Sequence, residues 1–354
     1  MAKVTINDIA KEAGVSKTAV SFAFNDPSQL AQATVQHIHA VAEKLGYSPD
    51  PIARSMTTRR TNALGLLVPQ DIATVMSNPF FAQLMRGIGH ICNSTGKTLM
   101  IVPPLWGSRL KAIPHATVDG FIVVGIEVDR SEIVLLRRRR IPFVIVDSAA
   151  PDDIPSVNVD DRSGARAAMR YVLEQGHRSI GVISIESGKP GPENYTGTLG
   201  ARLQGYFEAL SEFGIAHDDE RVHFVEAPSS WQGGSNAFEQ LWALPQRPTA
   251  IVTMSDILAF GVLDTARSMG LTLPEELSVV GFDDLPDARL MRPPLTTVRQ
   301  PVEEKGRLAA EILVNAIENQ GEPQHHILPT ELVIRDSVLP ISRDVLALSN
   351  VPLI

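Results

Sequence analysis

The 354-residue chain has one cysteine, Cys92. An internal disulfide is therefore impossible, a thiolate metal cluster is excluded, and nothing speaks for an oxidising compartment. No stretch approaches the roughly 18–20 apolar residues that cross a bilayer. The opening MAKVTINDIAKEAG lacks the apolar core of a signal peptide, so a cytoplasmic location with no membrane partner is expected. Enzyme signatures are missing too. No apolar run is followed by G-x-G-x-x-G, the SGKPGP of Ser187–Pro192 lacks the spacing of a phosphate-cradling loop, and there is no G-x-S-x-G elbow. His177 and the pair His325-His326 do not have metal-ligand spacing. No catalytic residue, metal or cofactor is expected.

What is present is the balance of a folded globular protein, 44 % hydrophobic and 20 % charged, at a length that suggests two or three domains. The net charge of −8 does not by itself point to nucleic acid. It is uneven, however: residues 1–61 carry seven basic and five acidic side chains, a net of +2, which leaves −10 for the rest. That asymmetry favours a small DNA-facing head on an acidic body.

Thr5-Ile6-Asn7-Asp8 reads as a helix start, with Thr5 as cap and Asp8 reaching back to it. Ile6, Ile9, Ala10 and Ala13 give one apolar face, and Gly14 ends the helix. Val15 turns inward and Ser16 caps a second helix, from about Lys17 to Phe24, whose small Ala19, Val20 and Ala23 allow a close crossing. A third helix, about Ala33 to Leu45, sets Val35, Ile38, Ala42 and Leu45 on one side and stops at Gly46. This is the plan of a helix-turn-helix, or of another small three-helix module. In a helix-turn-helix the second helix enters the major groove with its N-terminal residues at the base edges.

TINDIAKEAGVSKTAVSFAFN, followed by LGYSPDPIARSM, resembles without a gap the DNA-binding head and hinge of the LacI/GalR repressor family. The resemblance implies that Lys17 and Thr18 read bases, Lys17 by donation to guanine and Thr18 through its hydroxyl or methyl. It sets Ser16, Ser21, Asn25 and Tyr47 at phosphate-contacting positions and Thr5 on the same DNA-facing surface. Phe22 departs from the pattern, because many members have a base-reading arginine there. An exposed Phe22 offers only apolar contact, such as a thymine methyl, whereas a packed one would belong to the core. Pro49–Arg60 matches the hinge, with Pro51 suited to a first helical turn. So short a helix does not persist alone in water. The family orders it across a dimer in the minor groove, with Met56 at the wedge position where leucine is usual, Ala53 beside it, and Arg54, Arg59 and Arg60 near phosphates.

From Asn62 onward, apolar runs (ALGLLVP, TLMIVP, GFIVVG, FVIVD, SIGVIS, AIVTM, LSVVGFD) alternate with the amphipathic stretches Phe80–Ser94, Arg162–Gln175, Leu199–Phe213 and Ile257–Met269. Such alternation predicts parallel sheets covered on both faces, with chain enough for two lobes. Dehydrogenases, kinases and sugar-binding proteins share it, so it decides no function. Arg137–Arg140 reads as a solvated helix end before Pro142 rather than a nucleic-acid patch.

NPFFAQLMRGI, VNVDDRSGARAA, MSDILAFGVLDTARSMGLTLPEELSVVGFDD and PPLTTVRQP resemble the sensing domain of the same family, so the likeness spans nearly the whole chain. It implies an N-terminal all-α helix-turn-helix head (1–48) with a hinge helix (49–61), joined to an α/β periplasmic-binding-protein-like body of two parallel-sheet lobes (62–354). The first lobe would take about 62–160 and 294–325 and the second about 161–293 and 326–354. Crossovers are expected near Asp160–Ser163, Pro293–Thr297 and Leu328–Ile334. Family pocket positions fall on Asn78, Phe80, Phe81, Asp147, Arg202, Trp231, Ser255 and Asp283. The aspartates would accept from ligand hydroxyls, Arg202 would donate, and the aromatics would stack. Asn78 also suits the cap of its helix, and Asp256 the cap of another. Ser255 stands where asparagine is frequent, and the segment PLWGSRLKAIPHAT (104–117) is shorter than usual, with Trp106 aimed at the cleft or at a dimer surface. The resemblance thus implies a repressor binding double-stranded operator DNA as a homodimer or tetramer, and sensing a sugar, or next a nucleoside or purine, in the cleft. A solute-binding protein of a transporter, or an enzyme of dehydrogenase or sugar-kinase type, are the alternatives.

Overall fold

The computed structural model describes residues 4–48, 60–125, 131–187, 191–318 and 322–341. Among them no helix is long and apolar enough to cross a membrane.

Residues 4–48 form three helices, α1 (Ile6–Ala13), α2 (Lys17–Asn25) and α3 (Gln32–Lys44), with a 3-10 turn at Pro27–Gln29. Ile9, Val20 and Ile38 are fully buried, and Ala10, Ala13, Ala23 and Ala42 fill the gaps between the helices. Alanines at the crossings keep the helices close enough for three isoleucine- or valine-sized side chains to close the core. Asp8 reaches back as expected, accepting from the Thr5 backbone N–H at 2.9 Å and its hydroxyl at 2.7 Å. Gly14 ends α1 at φ +65°, where a side chain would be strained, and Ser16 Oγ caps α2 by accepting from the Ala19 N–H at 3.1 Å. Ile6, expected inside, is exposed.

The body is a separate unit. In chain order its strands are β1 (Ala63–Leu67), β2 (Thr98–Val102), β3 (Gly120–Val124), β4 (Phe143–Val146), β5 (Ser156–Val159), β6 (Ile180–Ile185), β7 (Val222–Ala227), β8 (Ala250–Thr253), β9 (Ser278–Asp283), β10 (Thr296–Arg299), β11 (His325–Leu328) and β12 (Glu331–Val333). One sheet has the order β11-β5-β4-β3-β1-β2 and is parallel throughout. The other has the order β12-β10-β9-β8-β6-β7 and is parallel except for β12. The apolar runs of the sequence are these strands, and the central ones are buried along their whole length.

The second crossover lies later than the sequence suggests. Thr296–Arg299 is β10, paired with Val280–Asp283 of β9, so these residues belong to the second lobe and the chain returns to the first only after Arg299. Burial explains the shift, since Thr296, Thr297 and Val298 are fully enclosed and pairing with β9 satisfies their backbone. The last crossover falls between Leu328, paired with β5, and Glu331, paired with β10, within the segment expected for it, so the first lobe runs on from about 325 to Leu328.

In the first lobe the helices Pro79–Thr95 and Val302–Ile317 meet through glycine. A Cβ on Gly87 would lie 1.9 Å from the Glu303 carbonyl oxygen, and one on Gly306 would lie 2.2 Å from that of Leu84. Backbone-to-backbone contact at this crossing also carries Lys305, the neighbour of Gly306, into the interior, where it is wholly buried.

Candidate functional site

The carboxyl ends of β4 and β9 carry Asp147 and Asp283. Both residues have positive φ, +56° and +135°, unusual for a side chain with a Cβ, although aspartate tolerates the left-handed region better than most. Between the lobes lies a cavity of about 620 Å3, lined from the first lobe by Asn78, Phe80, Phe81, Arg109 and Asp147 and from the second by Arg202, Ser255 and Asp283, with Gln300 from the crossover. Seven of the eight residues expected at a ligand site are therefore brought together.

Trp231 is not among them. It begins the helix Trp231–Trp242, where Ser230 Oγ caps the helix by accepting from the Gly233 N–H at 3.0 Å. Gly234 and Gly261 draw this helix against Asp256–Ser268, each lying where a Cβ would come within 2.1 Å of the other helix's backbone. The indole accordingly packs 5.7 Å from the Phe260 ring, with Nε1 3.4 Å from Asp264 Oδ2, away from the cavity lining.

A chain of buried polar contacts links the lobes. Lys305 Nζ donates at 2.5 Å to Asp147 Oδ1 and at 2.5 Å to Gln300 Oε1, while Gln300 Nε2 donates at 2.5 Å to Asp283 Oδ1. The same ammonium sits 5.4 Å from the centre of the Phe80 ring. Arg202 Nε donates to Asp161 Oδ1 at 2.8 Å, its Nη1 donates to the Met254 carbonyl, and its plane lies 3.7 Å over Phe282. Lys305 was invisible to sequence reasoning because it falls on an amphipathic helix at a position that reads as polar surface.

Burial pushes the Asp283 carboxyl up to about 6, against the opposing pull of Arg202, the Gln300 amide and Lys305. Burial raises Asp256 as well, with Asp283 itself as the next cause. Asp256 does not cap its helix. Its Oδ1 accepts from Thr297 Oγ1 at 2.5 Å and its Oδ2 from the Leu285 N–H at 2.8 Å, tying three segments of the second lobe together. Ser255 occupies the cap position instead, yet its Oγ is buried, lines the cavity and has no hydrogen-bond partner among the described residues. Asn78 caps its helix, its Oδ1 accepting from the Phe80 N–H at 3.0 Å, and it also lines the cavity.

The shortened segment supplies a further pair. A tight turn at Leu105–Ser108 leads into the helix Arg109–Ala112. Arg109 Nε donates to Glu132 Oε1 at 3.1 Å and its Nη1 to the Gly125 carbonyl at 2.7 Å, so this pair forms one wall of the cavity. Trp106, at φ +50° in the turn, is 78 % exposed beside His115 and Lys111 and does not line the cavity.

On the head, Thr5, Ser16, Lys17 and Thr18 are exposed, the last three at the start of α2. Phe22 is exposed one turn further on, so it is not part of the head core. Ser21 and Asn25 are half-buried, with Asn25 Nδ2 donating to Ser21 Oγ at 3.3 Å, and Tyr47 packs 5.7 Å from Phe24. The hinge candidates Ala53, Arg54 and Met56 lie outside the described residues. Among the described residues no group of His, Cys, Asp or Glu side chains is arranged to hold a metal.

A helix-turn-helix head joined to a two-lobed parallel-sheet body defines a class of DNA-binding regulators. The family profile "Bacterial regulatory proteins, lacI family" matches residues 5–50, and "Periplasmic binding protein-like domain" matches residues 169–338. The chain is 35 % identical over 344 residues to the HTH-type transcriptional repressor PurR of Proteus mirabilis, covering 94 % of this chain and 96 % of that one. It is 32 % identical over 340 residues to the HTH-type transcriptional repressor CytR of Escherichia coli, with coverage of 94 % and 96 %. Among solved structures, the transcriptional regulator CelR–cellobiose complex is 28 % identical, with 95 % of this chain and 100 % of that one covered and a TM-score of 0.69. A LacI family regulator from Enterococcus faecium with bound ribose is 28 % identical over 79 % of this chain and 100 % of its own, with a TM-score of 0.68. The lac repressor dimer bound to operator, 22 % identical, shares the fold at a TM-score of 0.78 over 96 % of this chain and 100 % of that one. The chain belongs to the LacI family and is a DNA-binding transcriptional repressor.

Proposed function

We propose that this repressor's hold on its operator is set by a small neutral molecule rich in hydroxyls, a sugar before a nucleoside or purine, bound between the lobes. The observation that carries this reading is the unpartnered Ser255 Oγ, buried in the cavity beside Asp283 and Arg202. A buried hydroxyl without a partner is costly, and a ligand hydroxyl supplies one. A volume of about 620 Å3 suits a small ligand. The cavity cations are already matched, Lys305 with Asp147, Arg202 with Asp161 and Arg109 with Glu132, which favours hydroxyls over a phosphate or carboxylate. The cellobiose and ribose held by two structural neighbours support a sugar. In this reading the effector shifts the lobes of a homodimer, and with them the paired hinges, by a coupling of about 1–3 kcal/mol. Lys17 and Thr18 read bases of a near-palindromic operator, and Phe22 adds an apolar contact.

The test is a thermal-shift screen against sugars, nucleosides and purines, followed by operator titration with each hit. A ligand at about a hundred times its Kd adds roughly 2.7 kcal/mol, a shift of several degrees. The reading fails if no such compound shifts the Tm, or if every compound that does leaves operator affinity unchanged.

A further inference from the structure

Four consecutive arginines, Arg137 to Arg140, run across the end of the helix Ser131–Arg138, all exposed, in a chain whose net charge is −8. Arg137 is held by Asp153 at 2.5 Å. Arg138, Arg139 and Arg140 have no carboxylate partner among the described residues. Cations complement a helix C-terminus, but that effect fades within the last turn, and Arg139 and Arg140 lie beyond the helix. Arg140 moreover stands at φ +53°, the position after a helix where glycine is favoured, with its N–H donating to the Arg137 carbonyl at 3.0 Å. An arginine thus stands where the backbone conformation favours glycine.

The place of the cluster in the sheet gives it a use. Ala63 of β1 pairs with Thr98 of β2, Leu64 with Gly120 of β3, and Phe121 with Phe143 of β4, all in parallel. The arginines immediately precede β4, so they lie at the amino edge of the sheet, opposite the carboxyl edge that carries Asp147. The chain enters β1 at this same amino edge, directly after residues 49–61, which join it to the DNA-binding head. Those thirteen residues cannot span more than about 45 Å however they are arranged.

We infer that Arg138, Arg139 and Arg140, which the sequence by itself reads as a solvated helix end, form a second, sequence-independent DNA contact, gripping backbone phosphates of the duplex that flanks the operator. Guanidinium forks suit phosphate oxygens, and each phosphate neutralised releases counterions. The inference requires operator binding by the head and no effector.

The full-length protein is titrated at several salt concentrations onto two duplexes: a minimal site selected from a random pool, and the same site extended by flanking duplex on both sides. Wild type binds the extended duplex several-fold more tightly. Arg138→Gln/Arg139→Gln removes that gain and lowers the salt slope by about 0.9 for each phosphate no longer neutralised, with the Tm and the affinity for the minimal site unchanged. Arg138→Lys/Arg139→Lys keeps most of the gain, since charge is what phosphate binding needs. The inference is overturned if wild type binds both duplexes equally, if the glutamine variant keeps the gain, or if it weakens both duplexes alike.

Discussion

Lys305 Nζ lies 2.5 Å from Asp147 Oδ1, with the lysine side chain wholly enclosed and the aspartate nearly so. An ammonium in that position is held by attraction that water does not screen, together with the Gln300 Oε1 it also reaches. Its neighbour Gly306 makes the position possible by letting two helices touch backbone to backbone.

Removing one member of this pair strands the other. Lys305→Met is expected to cost about 3–5 kcal/mol, toward the lower end because Asp147 keeps some contact with solvent. Asp147→Asn/Lys305→Met should recover most of that loss. Urea unfolding of the three proteins measures both numbers, and equal stability of the single and double variants would show that the pair is not coupled.

Asp283 makes stability depend on pH in an unusual direction. With its carboxyl raised to about 6, the folded chain keeps a proton that the unfolded chain sheds above about 4. This group's contribution therefore falls as pH rises through that window and is fully lost above it. In Asp283→Asn the loss disappears, so the Tm of the variant relative to wild type should climb between about pH 4 and pH 7. A flat difference would contradict the burial argument.

Ser255→Ala should leave the unliganded protein as stable as wild type or slightly more so, because it removes a buried hydroxyl with no partner. If a ligand hydroxyl satisfies that oxygen, affinity for the effector falls by about 0.5–1.5 kcal/mol. Calorimetric titration of both proteins with the same hit reads the difference.

Gly306→Ala sets a methyl group 2.2 Å from the Leu84 carbonyl oxygen, and backbone cannot yield as a side-chain tip would. A loss of about 1–3 kcal/mol or more is expected from the forced separation of the two helices. Gly89, on the same helix as Gly87 but with nothing within 4 Å of its Cβ position, is the control: Gly89→Ala should be neutral or stabilising by up to about 1 kcal/mol.

Lys17→Ala should cost about 1–3 kcal/mol on the preferred operator and relax base choice at one position of each half-site. Binding to a panel of single-base operator variants tests it. A uniform loss across the panel would make Lys17 a phosphate contact.

The head was almost fully legible, because its helices are capped locally. Asp8, Gly14 and Ser16 act within four residues of themselves, and α2 and α3 fall within one residue of where the sequence sets them. The body's strands were legible as apolar runs for the same local reason. What local signals could not show was which sheet a short run joins. Thr296–Arg299 is too brief and too polar at its end to declare itself, and only the burial of Thr296 and Thr297 against β9 decides the matter.

The chain's sequence alone determined a DNA-reading head and two doubly covered sheets, since caps, turns and periodic apolar faces are properties of neighbours in the chain. Tertiary structure decided what the cavity is made of. Phe80, Asp147, Arg202 and Asp283 meet there as their motifs suggest, but Lys305, Arg109 and the unpartnered Ser255 Oγ gain their meaning from groups far away in the chain. Trp231 turns away for a reason no motif contains: two glycines pull its helix onto another, and the ring follows its backbone. The charge state and reach of a side chain depend on what surrounds it in space, and that is set only when the whole chain has packed.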